Sequence, residues 1–166
     1  MSAFRIGLVG IAVVLAVATA VCGETIGARM EVTATVPANC RLTVPPLAFG
    51  TYDPLLATAS EPADASAVVV VSCTRNTSAS LSFDFGVHAA GGGDRIMAGA
   101  GSDRLHYQIY RDAGRSQTWG QGGDALHIIS KAASQPQELT VFGRIPPRQE
   151  VEPGGYNDVL TAAVDF

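Results

Sequence analysis

The chain has 166 residues, with 11 Lys and Arg against 15 Asp and Glu and a formal net charge of −4. Its cations are dispersed, and Lys131 is the single lysine. Because nucleic-acid binding requires clustered positive charge, we expect no nucleic-acid partner.

The N-terminus has the pattern of a secretory signal. Arg5 is followed by an uncharged, mostly apolar run over residues 6–21. The run is too short to span a bilayer comfortably, and it ends in Ala18-Thr19-Ala20, whose small side chains suit a signal peptidase. We therefore predict that residues 1–23 are a signal peptide and that the chain is exported.

The position of cleavage decides the fate of Cys22. Cleavage after Ala20 retains this cysteine, whereas cleavage after Gly23 removes it. A lipid anchor on Cys22 is a third and less favoured reading, because the residue before such a cysteine is normally small and here it is Val21.

Two cysteines, Cys40 and Cys73, lie well inside the exported part. In an oxidising compartment such a pair predicts a disulfide. The chain-entropy model assigns a bridge of this loop length roughly 3 to 4 kcal/mol. Neither cysteine belongs to a CxxC motif, so zinc or redox chemistry has no support.

Residues 24–36 alternate between apolar and other residues. The apolar members are Ile26, Ala28, Met30, Val32, Ala34 and Val36. A period of two predicts a β-strand. This strand is either spare, and available to another molecule, or the ordinary first strand of its own domain.

The rest of the chain, residues 37–166, predicts a single domain with six strands, beginning near residues 41, 67, 80, 104, 137 and 156. Pro45-Pro46 suits an edge strand or a strand that switches sheets, and Val68 to Val71 suit a strand that is buried on both faces or centrally placed. The last strand has Leu160, Ala162, Val164 and Phe166 on one face.

The strand count leads to the predicted fold, an all-β, incomplete immunoglobulin-like sandwich. Because an immunoglobulin-type sandwich needs seven strands, six would leave an apolar groove uncovered. The spare N-terminal strand over residues 24–36 is the kind of element that could cover this groove.

Residues that could support catalysis do not form a recognisable site. His88, His106 and His127 show no ligand pair at i+2 or i+4, and no G-x-S-x-G surrounds a serine. We expect no enzyme activity, no metal and no cofactor. Trp119, in a glycine-rich connection, is expected to fold onto its own domain rather than to contact an external surface.

Motifs across the exported part resemble the spore coat protein U domain family. In chain order they are Cys40, Phe49-Gly50-Thr51-Tyr52, Val71-Ser72-Cys73, Arg95-Ile96-Met97, Leu105 to Asp112, Phe142-Gly143-Arg144-Ile145 and Gly155-Tyr156-Asn157-Asp158. Each motif alone is common, but their shared order and spacing are specific.

The resemblance implies a subunit of an archaic chaperone-usher pilus. Its partners would be neighbouring pilin subunits, a periplasmic chaperone and an outer-membrane usher, and its location the cell surface. Residues 24–36, called here the donor segment, would be the donated strand, and Ile26, Ala28, Met30, Val32 and Ala34 would be its plugs in a neighbour's groove. Cys40 and Cys73 match the family disulfide, and Leu160, Ala162, Val164 and Phe166 match the strand that borders the groove and pairs with the chaperone. The alternatives are a secreted spore-coat or surface protein that forms no pilus and, more remotely, a lectin-like adhesin.

Overall fold

The computed structural model describes residues 22–89, 91, 93–132 and 135–166. The predicted signal peptide lies outside the described residues up to residue 21. Contacts divide the chain into one unit that ends at Thr35 and a second unit, Val36–Phe166. In the first unit, residues 22–35 contain no helix or strand, and their side chains are exposed.

The second unit is built from β-strands. Its described residues form eight strands and one turn of 3-10 helix at Gly122–Asp124. The strands are β1 (Cys40–Thr43), β2 (Ala63–Cys73), β3 (Ser78–Phe83), β4 (Arg95–Ala98), β5 (Arg104–Tyr110), β6 (Leu126–Ile129), β7 (Gln137–Ile145) and β8 (Ala162–Asp165).

These strands form two antiparallel sheets. One sheet has five strands in the order β1-β2-β7-β5-β4, and the other has three in the order β6-β3-β8. The core consists of alternate side chains from both sheets, as the period of two in a strand requires. Its fully or nearly fully buried members include Val69, Val71, Leu81, Phe83, Leu105, Ile109, Val141 and Ile145.

The structure confirms the predicted fold class. The six predicted strands correspond to β1, β2, β3, β5, β7 and β8, with β8 beginning at Ala162 rather than near residue 156. The short strands β4 and β6 are additional. The Val68 to Val71 run lies in β2, which pairs with β1 and β7. It is central but not buried on both faces, because Val68 is 44% exposed.

The disulfide between Cys40 and Cys73 joins directly opposite residues of β1 and β2, whose Cα atoms are 4.0 Å apart. It fastens the short β1 to a long strand that pairs on both sides. The first strand of the domain is therefore held covalently at the point where the chain enters the sandwich.

Trp119 lies in the core. It is 0% exposed, its ring packs edge-on against Phe83, and its Nε1–H donates to the carbonyl oxygen of Leu81 at 3.0 Å. The expectation that this aromatic residue folds onto its own domain is met. In the described part of the chain, no helix is long and apolar enough to cross a membrane.

Candidate functional site: an open groove between two sheet edges

The strands β1 and β8 are edge strands of the two sheets. Among the described residues, β1 pairs with β2 alone and β8 pairs with β3 alone. Each is the last strand of its sheet. Edges of this kind present unpaired backbone N–H and C=O groups and are templates for an added strand.

An open cleft of about 590 Å³ lies between the segments that flank these two edges. One wall is formed by residues 44–47 and 49, directly after β1, and the other by residues 156–160, before β8. Beneath it lie Ala67, Val69, Phe83, Met97, Tyr107, Ile109 and Val141. Most of these also belong to the core, so the cleft opens onto the apolar interior of the sandwich.

A second cleft, of about 930 Å³, continues the first. The two share four lining residues, Leu47, Phe49, Met97 and Tyr156. The second extends along residues 50–55 on one side and 150–155 on the other. Together they form one long depression, called here the groove.

Alternate backbone amides of β8 face the open edge of the strand. The Asp84 N–H donates to the Thr161 carbonyl oxygen at 3.0 Å, and Phe83 lies opposite Ala162. Because antiparallel pairs alternate in their hydrogen bonding, Thr161, Ala163 and Asp165 face β3. The backbone groups of the residues between them, Leu160, Ala162 and Val164, therefore face the open edge.

The side chains of this strand alternate as its sequence predicts. Leu160, Ala162 and Val164 are partly buried and pack against the core. Phe166, the last of the predicted set, is 58% exposed. Leu160 lines the first cleft, whereas Ala162 and Val164 pack against the core along β8. That these residues border an added strand stays a prediction.

The β1 edge offers fewer hydrogen-bond donors. The Thr74 N–H donates to the Asn39 carbonyl oxygen at 2.8 Å, so by the same alternation the amides of Cys40 and Leu42 face outward. Pro45 and Pro46 follow, and proline has no N–H. A strand that enters the groove would therefore find most of its backbone partners on β8.

Asp84 fixes the start of β8 to the end of β3. Its Oδ1 accepts from the Thr161 N–H at 2.8 Å and from the Gly86 N–H at 3.0 Å. Burial alone would raise the pKa of this carboxyl, but these hydrogen bonds and the nearby charge of Arg95 outweigh it and lower the pKa. The ionised form is therefore the one that holds the groove wall.

Acidification is expected to remove the stabilisation that the ionised Asp84 carboxylate provides. Because the folded pKa of Asp84 is below its usual value of about 4, its stabilisation is present above pH ~4 and is lost as the pH falls through the folded pKa. Asp84→Asn keeps an acceptor but loses the charge, and we expect it to cost about 1 kcal/mol at pH 7. Urea titrations between pH 7 and pH 3 should show a smaller loss of stability in the variant than in the unmodified chain. Parallel pH profiles for the two proteins would contradict this.

A buried polar cluster supports the other end of the same wall. The side chain of Asp158 is 2% exposed and accepts from the Tyr107 hydroxyl at 2.7 Å, and its Oδ1 lies 3.1 Å from Nδ1 of His88. Burial, reinforced by Asp158, raises the pKa of Tyr107, which therefore stays a neutral donor. Gly86 allows this close approach, because it has a φ of 90° and a Cβ there would lie 1.9 Å from Asp158 Oδ2.

The three histidines have separate positions. His88 contacts Asp158, the backbone of His106 pairs with the Gln149 side-chain amide, and His127 is exposed on β6. In the described part of the chain, no group of three or more His, Cys, Asp or Glu side chains could hold a metal ion.

The predicted plugs belong to the first unit. Ile26, Met30 and Val32 are 91%, 86% and 84% exposed, and Ala28 and Ala34 are also exposed. Their docking into a groove stays a prediction. Sequence reasoning missed the wall formed by residues 44–49 and the cluster around Asp158, because neither shows a period that marks it as part of a site.

A two-sheet antiparallel sandwich with an uncovered groove between its first and last strands defines the class, an incomplete immunoglobulin-like domain of the pilin type. The family model for the Spore Coat Protein U domain matches residues 26–163. The chain belongs to this family. It is also 30% identical to Protein U of Myxococcus xanthus over 129 residues, which cover 72% of this chain and 71% of that protein.

A solved structure has a similar fold. It is the pre-assembly complex of the chaperone CsuC with the tip adhesion subunit CsuE from archaic chaperone-usher Csu pili of Acinetobacter baumannii. The match has a TM-score of 0.58 and 23% identity, and it covers 80% of this chain. The chain spans 40% of the length of that solved chain.

Proposed function

We propose that the protein is a structural pilus subunit that polymerises by donor-strand exchange. The observation that carries the proposal is the groove, an open cleft lined by core residues between two strand edges that have no partner among the described residues. A β-strand from another molecule would supply both missing elements, namely side chains for the apolar interior and backbone partners for β8.

The donor segment has the chemistry that this groove requires. Its apolar residues alternate, so that one face of an added strand could enter the groove while the other remains in water. Burial of five plugs, two of them alanine, would contribute on the order of 5 to 10 kcal/mol before the costs of ordering. Because the groove and the donor segment are different parts of the chain, the contact is head-to-tail and generates a filament.

Assembly of such a filament requires protection of the groove beforehand. We infer that a periplasmic chaperone covers it, that an outer-membrane usher exports the subunit, and that the fibre lies on the cell surface, where it supports adhesion or biofilm formation. The fold shared with CsuE, whose solved structure is a complex with a chaperone, supports the chaperone as a partner.

The relationship to Protein U favours one alternative, a secreted spore-coat or surface protein that uses the domain without forming a pilus. The assembly state of the purified chain distinguishes a pilus subunit from such a coat protein. A pilus subunit is expected to form head-to-tail filaments visible by electron microscopy, whereas a coat protein of the alternative kind would remain a discrete species.

A deletion tests the proposal directly. The exported chain without residues 24–36 is expected to bind a synthetic peptide of that sequence, with a rise in thermal stability on binding. A peptide with its plugs at positions 26, 30 and 32 changed to serine is the control and should bind weakly or not at all. A stable deletion variant with no affinity for the native peptide would refute donor-strand exchange.

A further inference from the structure

The three residues between the donor segment and β1 are held by the turn that joins β2 and β3. The Asn39 N–H donates to Thr74 Oγ1 at 3.1 Å, and the Thr74 N–H donates to the Asn39 carbonyl oxygen at 2.8 Å. The Thr74 hydroxyl lies 3.3 Å from the carbonyl oxygens of both Pro37 and Asn39 and can donate to one of them at a time. Residues 37–39 are therefore fixed as a continuation of β1.

The conformation of residues 37–39 opposes a turn that would reverse the direction of the chain before β1. To enter its own groove beside β1, which begins at Cys40, the donor segment would have to turn back within residues 37–39. A two-residue turn between antiparallel strands needs a positive φ at its first central position, which Pro37 cannot adopt and Ala38 adopts only with strain. A three-residue turn over residues 37–39 needs Asn39 in the left-handed region instead. The backbone N–H and carbonyl oxygen of Asn39 are both bound to Thr74, which opposes that change. The described residues with a positive φ include none of residues 37–39. Reversal would also break the hydrogen bonds to Thr74.

We propose that Pro37 and Thr74 keep the donor segment out of the groove of its own chain and so direct it to the groove of a second copy. This inference rests on the proposed function. It adds which residues determine whether the chain forms a closed monomer or a polymer. A linker that cannot span two sites gives an effective concentration near zero, so the intramolecular reaction does not compete. Thr74 acts here as a positioning residue, since it lies outside the residues that line the groove.

The test replaces residues before β1 with a sequence that favours a two-residue reverse turn. Pro37→Asn with Ala38→Gly supplies the Asn-Gly pair preferred by two-residue hairpins, and Thr74→Val removes the hydroxyl. In the exported chain beginning at Glu24, the triple variant is expected to show a monomer fraction about tenfold above that of the unmodified chain. The separated monomer should bind no added donor peptide, because its groove is already occupied, which identifies intramolecular closure. Thr74→Val alone is expected to raise it about fivefold, the factor that corresponds to one hydrogen bond.

Thr77→Val is the matched control, because Thr77 lies in the same turn and its hydroxyl forms no hydrogen bond with the described residues. It should polymerise as the unmodified chain does. The inference is overturned if Thr74→Val and the triple variant also polymerise like the unmodified chain.

A second measurement separates this failure from failure of the proposed function. The deletion variant lacking residues 24–36, with and without Thr74→Val, should bind the donor peptide equally well, which shows that the groove is intact. If the deletion variant without Thr74→Val binds no peptide, donor-strand exchange itself is wrong. If both bind and the full-length variants still polymerise normally, only the role of Thr74 and Pro37 is wrong.

Discussion

Arg95→Met is expected to lower the free energy of unfolding by about 3 to 5 kcal/mol. Arg95 is 1% exposed, and its guanidinium donates to the carbonyl oxygens of Asp84 and Trp119 at 2.7 and 2.8 Å and to the side-chain oxygen of Gln108. Methionine fills a similar volume but donates nothing, so buried acceptors lose their partners. Burial lowers the pKa of Arg95, but a guanidinium remains charged at any pH in which the protein is studied.

Urea denaturation of the exported chain measures this loss, and Arg104→Met is the control. Arg104 is an exposed residue of β5 whose side chain contacts only nearby carbonyl oxygens among the described residues, at Gly101, Ser102 and Asp103. Its replacement should cost less than about 1 kcal/mol. Equal shifts in the two denaturation midpoints would show that the Arg95 hydrogen bonds contribute little.

Val32→Asp is expected to reduce polymerisation more than a hundredfold. In the proposed assembly Val32 enters an apolar groove, and an unpaired carboxylate there would cost about 3 kcal/mol or more. The stability of the unit Val36–Phe166 should not change, because Val32 lies outside that unit and is exposed. The measurement is the rate of filament formation by light scattering at fixed protein concentration.

Thr33→Asp provides the matched control, since it adds the same charge one residue further along the strand. At that position the side chain would face water, so we expect less than a fivefold effect. Similar inhibition by both substitutions would mean that charge, and not alternate burial, is responsible. If Val32→Asp does not inhibit polymerisation, Val32 is not one of the plugs.

The sequence predicts the sandwich well where one face of a strand is buried. The alternation of Leu160, Ala162 and Val164 with polar or small residues reappears as alternate burial before and along β8. Leu81 and Phe83 likewise lie in the core, as their period of two predicts. In such strands, burial of one face determines the register, so the pattern in the sequence is informative.

Short strands and polar contacts could not be predicted in the same way. The four residues of β4 begin with a buried arginine, and a run of four residues is too short to establish a period. The contact between Tyr107 and Asp158 joins positions 51 residues apart and depends on the completed fold. The role proposed for Thr74 likewise depends on the chain entering β1 beside the β2–β3 turn, which no local pattern indicates.

In the proposed assembly, Pro45 and Pro46 would also limit unwanted contacts before a partner strand binds. A subunit with an open groove could bind unrelated extended peptides, and prolines on an exposed edge discourage such contacts. Here they reduce the hydrogen bonding available along one side of the groove. Under the proposed function, only a strand that both pairs with β8 and fills the apolar floor would bind tightly, so the two prolines would favour the correct partner over unrelated peptides.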